Sequence, residues 1–124
     1  MANPIRTLKY DNGCTYTGGW AGNKRNGKGK FTWPSGSYYA GDFMEDERHG
    51  RGHMQYADGS WYEGEWERDA RVGMGKFIWK KERAEYEGAF LDDQMHGKGK
   101  MVWATGAIYD GNWERGMKKG HGVM

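Results

Sequence analysis

One cysteine and two prolines occur in 124 residues. Cys14 has no partner for an internal disulfide, and no CxxC or Cys/His spacing around it suggests a zinc site. No apolar run approaches the ~20 residues that span a bilayer, and the N-terminus has no signal-peptide core. Serine is confined to Ser35, Ser37 and Ser60, each in a turn-forming segment, so nucleophilic catalysis has almost nothing to work with. Neither charge sign dominates: 19 Lys+Arg against 17 Asp+Glu give +2, too balanced to mark a nucleic-acid binder. The expectation is one soluble cytoplasmic domain, not an enzyme, with no cofactor and no metal.

Hydrophobic residues are scarce too, at 36% with a mean hydropathy of −1.06, figures that suit a disordered chain. The aromatic content argues otherwise. Seven Trp, eight Tyr and four Phe stand beside 22 Gly, so the apolar surface is concentrated in a few large rings. Tyr recurs at Tyr16, Tyr39, Tyr62, Tyr86 and Tyr109, at spacings of 23, 23, 24 and 23. Each Tyr opens Y-x-G-x-[WF]: YTGGW, YAGDF, YEGEW, YEGAF and YDGNW. A G-x-G follows at fixed offset, first at Gly27/Gly29 and last at Gly120/Gly122, with Phe31, Met54, Phe77, Met101 or Met124 two residues beyond. In this register all 19 aromatics fall at repeat positions 1, 5, 16, 18 or 23, and 19 of the 22 glycines at positions 3, 12, 14 or 21.

Both Y-x-G-x-W and G-x-G-x-[FM]-x-[WY] alternate with period two and read as strands, and nothing has a helical apolar period. Each repeat is then a hairpin. A four-residue loop over Gly22–Arg25 would set Tyr16 against Phe31, Gly18 against Gly29 and Trp20 against Gly27, with rings lying over bare backbone. A 23-residue period inverts the faces unless one connection has odd length. A five-residue link Pro34–Tyr38 would restore parity, opposing Trp33 to Tyr39 and Gly29 to Phe43. The glycines of positions 3, 12 and 14 would then share one face with the rings. The other face would be charged, with pairs Asp42/Arg51, Glu63/Lys76 and Glu87/Lys100. The expected fold is all-β: an elongated, twisted, single-layer antiparallel sheet of tandem hairpins, with ten or eleven strands.

These repeats resemble MORN repeats, whose pattern runs Y-x-G-x-W-x-x-G-x-x-x-G-x-G. The resemblance spans 16–38, 39–61, 62–85, 86–108 and a partial unit 109–124, with a partial leading unit at 5–15, forming one array over 1–124. The third unit departs: WKKERAE (79–85) is one residue longer and lacks the turn glycine that Gly36, Gly59 and Gly106 supply elsewhere. The resemblance implies a cytoskeletal, ciliary or flagellar setting, or a place beside a catalytic domain in a larger enzyme.

The leading functional feature is the aromatic stripe: Tyr16, Trp20, Phe31, Trp33, Tyr39, Phe43, Tyr62, Trp66, Phe77, Trp79, Tyr86, Phe90, Trp103, Tyr109 and Trp113. Most of these rings must stabilise the sheet, but a single layer cannot cover them all. The uncovered part would form a groove accepting a helix or extended peptide of a protein partner. A second reading is acidic-lipid binding, centred on Lys80, Lys81 and Arg83. Four histidines (His49, His53, His96 and His121) lack an evident ligand set, although His49 and His53 can share a strand face. The G-K-G-K strings sit inside strands, not before a helix, and make poor phosphate loops. The fifth unit stops in its second strand, which suggests a cut from a longer chain, a covering partner, or self-association through an uncapped edge.

Overall fold

A computed structural model describes residues 5–123, with the side chains of 121–123 left aside. Met124 and the His121 side chain therefore lie outside the described residues. Period-two alternation becomes eleven strands: Ile5–Lys9 (β1), Thr15–Ala21 (β2), Lys24–Thr32 (β3), Tyr38–Met44 (β4), Glu47–Gln55 (β5), Trp61–Glu67 (β6), Ala70–Trp79 (β7), Ala84–Leu91 (β8), Gln94–Val102 (β9), Ile108–Glu114 (β10) and Met117–Val123 (β11). They pair in chain order as one open antiparallel meander, with no helix among the described residues. At ~4.8 Å per step, eleven strands extend on the order of 48 Å.

The hairpin turns are tighter than expected. Gly22 and Asn23 alone join β2 to β3, so Trp20 opposes Arg25 and not Gly27. The equivalent pairs Glu45–Asp46, Arg68–Asp69, Asp92–Asp93 and Arg115–Gly116 have positive φ at both residues, from 47° to 78°. Those signs are of the type I′ turn, whose twist matches that of the flanking strands. Gly18 still faces Gly29 and Tyr16 faces Phe31; a bulge between Gly18 and Trp20 absorbs the difference.

The five-residue connection exists, one residue earlier than expected, over 33–37. Phe31 thus faces Tyr39, Gly29 faces Gly41, and Gly27 faces Phe43. One even and one odd connection per unit keep the same face toward the rings through an odd period. The longer third unit, 24 residues from Tyr62 to Tyr86, keeps its face with two even connections instead. Ile78 pairs with Glu85 and Trp79 with Ala84, leaving a four-residue turn in which Arg83, at φ 55°, takes the left-handed conformation glycine holds in the other units.

Tight apposition of backbone fixes the ring face. A Cβ on Gly64 would stand 2.6 Å from the Gly75 Cα and 2.6 Å from the Tyr62 hydroxyl, and one on Gly29 would overlap the Tyr16 ring. Positions 3 and 14 therefore share the ring face as expected. Position 12 does not: Gly50 and Gly73, at φ 69° and 57°, would aim a Cβ at Asp42 and Glu65 on the opposite face. They are bulge glycines, needed for conformation and not to admit a ring.

On that opposite face Glu63/Lys76 and Glu87/Lys100 pair as expected. Asp42 does not face Arg51. The bulge leaves its carboxylate to accept the Arg51 backbone N–H at 3.0 Å and to pair with Lys28 at 2.6 Å, while Arg51 opposes Glu65. Two aromatics also lie here, since Tyr38 and Trp61 alternate against Tyr39 and Tyr62. His53 stacks between them, at 6.0 and 5.4 Å, and its Nδ1 lies 3.1 Å from Glu63 Oε1.

Candidate functional site: a trough beside an aromatic column

The tyrosines of position 1 and the Trp or Phe of position 5 interlock into one column. Trp20, Tyr16, Phe43, Tyr39, Trp66, Tyr62, Phe90, Tyr86, Trp113 and Tyr109 follow one another edge to face, at 5.1–5.5 Å and 83–88°. Such contacts add roughly 0.5–1.5 kcal/mol each beyond area burial. Every tyrosine hydroxyl in the column donates to the carbonyl three residues on, as Tyr62 does to Glu65 at 2.9 Å. Trp20, Trp66 and Trp113 donate Nε1 to carbonyls of the preceding strand (Arg6, Gly52 and Gly99). Burial raises the Tyr16 and Tyr86 phenols to about 12 and the Tyr39 and Tyr62 phenols still further. The column is a satisfied core, neutral at ordinary pH.

This separates the fifteen stripe residues into two groups. Tyr16, Trp20, Tyr39, Phe43, Tyr62, Trp66, Phe77, Tyr86, Phe90, Tyr109 and Trp113 are buried. None of those eleven offers a free ring to a partner. Phe31, Trp33, Trp79 and Trp103 are only partly buried, together with Tyr10 and Tyr56, which belong to the same row. Adjacent members pack as pairs, Phe31 on Trp33 at 4.7 Å and Phe77 on Trp79 at 4.5 Å. On this face the accessible aromatic surface is Phe31 together with the flanking row at position 18.

A charged ladder forms the other flank. Arg25 stacks over Phe31 and Phe43, Arg48 over Trp66, and Arg71 over Phe77 and Phe90, at 4.6–5.6 Å. Each guanidinium is held by the next hairpin turn. Asp46 Oδ1 accepts the Arg25 backbone N–H at 2.8 Å and Nε–H at 2.9 Å, and the Asp46 carbonyl accepts Nη2–H. Asp69 holds Arg48, and Asp93 holds Arg71, in the same way. Partial burial alone would raise the Asp46 carboxyl, but the bonds from Arg25 outweigh it and bring the net value below the ordinary range.

The stripe of apolar residues gave no hint of this ladder. Its signal was nevertheless present: Arg at position 10 in three consecutive units, each followed 21 or 22 residues later by Asp. Arg25, Phe31, Trp33, Tyr39, Phe43, Asp46, Arg48 and Asp69 together line a concavity of about 160 Å³ between the flanks.

Lys80, Lys81 and Arg83 are exposed on the irregular turn between β7 and β8. Lys80, Arg83 and Glu85 border a cleft with Ile78, Trp79, Ala84 and Val102. Among the described residues no three His, Cys, Asp or Glu side chains are grouped to hold a metal, and no helix is long and apolar enough to cross a membrane. His53 sits on the charged face between two rings.

A comparison with curated proteins returns no match. The family profile described as the MORN repeat matches residues 16–38, 39–61, 62–81, 86–108 and 109–124. Its third match stops inside the irregular 80–83 turn, where the extra residue lies. Five consecutive matches in phase with the five hairpins of the sheet place this chain in the MORN-repeat family, whose repeats commonly serve as interaction modules for proteins or membranes.

Proposed function

We propose that the array is a non-catalytic scaffold that docks a helical segment of a protein partner along the trough between the flanking rings and the Arg–Asp ladder. The observation that carries this reading is the unequal burial of chemically similar rings. The column closes on itself, whereas Phe31, Trp33, Tyr56, Trp79 and Trp103 stay partly open in a row on the same face. Rings already ordered by packing lose little entropy on binding and make effective anchors. A setting within a cytoskeletal or ciliary assembly is the finer reading that the family suggests. The test is capture of the partner by wild type and by Trp33→Ala and Trp79→Ala. Capture lost with folding retained supports the reading; undiminished capture by both variants refutes it.

Acidic-lipid binding is the second reading, favoured by the cleft that sets Lys80 and Arg83 beside Trp79 and Val102. Against it, the bases of the charged face oppose carboxylates on neighbouring strands, as Lys76 opposes Glu63 and Glu87. Sedimentation with anionic vesicles decides it: salt-sensitive binding abolished by Lys80→Glu with Lys81→Glu supports lipid, and no binding excludes it.

A further inference from the structure

We propose that the trough takes an amphipathic helix with a basic flank, and takes it in one direction only, its basic end over β4–β8 and its uncharged end over β9–β11. This rests on the docking reading above. It adds the chemistry of the partner and its polarity.

The acidic lip follows from how the ladder uses its carboxylates. Asp46, Asp69 and Asp93 spend Oδ1 on both the backbone N–H and the Nε–H of their arginines, and Oδ2 accepts no hydrogen bond from the described residues. The aspartate side chains are 43, 48 and 51% exposed, the arginines 21, 25 and 20%. An approaching group therefore meets carboxylate, with the guanidinium lying flat on the rings beneath. Asp46 and Asp69 line the same concavity as Phe31 and Trp33, so charge and ring are presented together. The nearby turn bases are Lys24, tied to Glu45 at 3.1 Å, and Arg68.

The occupant is a helix because of its own backbone. A segment lying along the array crosses the strands and cannot join their ladder, so an extended chain would press unpaired amides onto rings; a helix satisfies its amides internally. The spacing agrees as well. One repeat advances two strands, about 9.6 Å. Seven helical residues rise about 10.5 Å. A heptad thus returns one side chain near each carboxylate and one near each ring pair.

Direction comes from where the ladder ends. In the fourth unit Met95 stands where Arg25, Arg48 and Arg71 stand, and Gly116 replaces the aspartate, although its N–H still bonds the Met95 carbonyl at 3.0 Å. In the fifth unit Lys118 lies over Trp103 and Tyr109, at 5.4 and 5.6 Å. The lip therefore loses its row of carboxylates, with Met95 and Gly116 in the ladder positions and the exposed Arg115 beside them.

Three synthetic 21-residue helices test this. They share one leucine heptad stripe and carry Lys, Gln or Glu at the flanking positions of the N-terminal half. Binding is read by fluorescence anisotropy against the full chain. The Lys probe is expected to bind about tenfold more tightly than the Gln probe in low salt, the Glu probe more weakly than either, with the difference collapsing near 0.5 M salt. Asp69→Asn with Asp93→Asn removes the Lys advantage, so that the Lys and Gln probes bind alike. If that variant does not fold, the salt comparison on wild type decides alone. A nitroxide at the Lys end is expected to broaden the amides of 45–47 and 68–70 and spare those of 115–117.

Equal affinity of Lys and Gln probes, both lost in Trp33→Ala, overturns the acidic lip and leaves docking standing. Equal broadening at both ends overturns the direction. No binding by any probe overturns the docking reading along with this one.

Discussion

Two rows of aromatic side chains run along the same face of this sheet, and they have opposite fates. The rings of positions 1 and 5 are closed into a column, four of its tyrosines with no solvent exposure at all. The rings of position 18, a few residues away on alternate strands, are only partly buried. Residue type does not separate them, since Trp66 is buried and Trp79 is not. Backbone does. Tyr16, Tyr39, Tyr62 and Tyr86 each lie over paired glycines, Tyr62 over Gly64 and Gly75, and can sink to the sheet surface, whereas the flanking rings stand beside the turns that link the repeats, with other side chains as neighbours. Glycine placement decides which rings make core and which make surface.

The comparison breaks most severely if the paired glycines are filled. Gly64→Val puts Cβ 2.6 Å from the Gly75 Cα and 2.7 Å from the Met74 carbonyl, backbone that cannot swing aside. A loss of about 3 kcal/mol or more is expected in urea denaturation. Unchanged stability would mean that the rings do not need that bare backbone.

Alkaline titration tests the column next. The Tyr16 and Tyr86 phenols ionise at about 12 when folded, against an ordinary value near 10. Because the folded value is raised, their contribution is fully present below pH 10 and is lost as pH climbs toward 12. Unfolding and phenolate absorbance should therefore rise together in that window. Phenolate at Tyr16 and Tyr86 themselves near pH 10 without unfolding, read by residue-specific NMR shifts, would place these hydroxyls in water.

The period, the strands and the meander were legible in the amino-acid order, because every aromatic obeys one register. So were Tyr16 against Phe31 and two of the three charged pairs. Turn length was not. Glu45–Asp46, Arg68–Asp69 and Asp92–Asp93 contain no glycine, yet adopt positive φ because the twist of the paired strands selects it. That misplaced Trp20 relative to Gly27 and hid the Arg25–Asp46 ladder, which exists only when the next turn reaches back over the sheet. The separation of core rings from open rings was also out of reach, since it depends on how closely two strands approach.

The smallest effect concerns a solvent-facing side chain in the turn that carries Asp46. Glu45 is exposed and, among the described residues, pairs with Lys24 alone, so Glu45→Lys is expected to move Tm by less than about 3 °C. A larger drop would mean that the turn is packed against something.

The account stands most directly on one paired measurement: thermal stability and partner-helix affinity for Trp66→Ala and Trp79→Ala side by side. Trp66→Ala should cost about 3–5 kcal/mol of stability. Trp79→Ala should stay folded and lose affinity at least tenfold, worth about 1.4 kcal/mol. The reverse pattern, or equal losses of both kinds, would contradict the division between a structural column and a docking row.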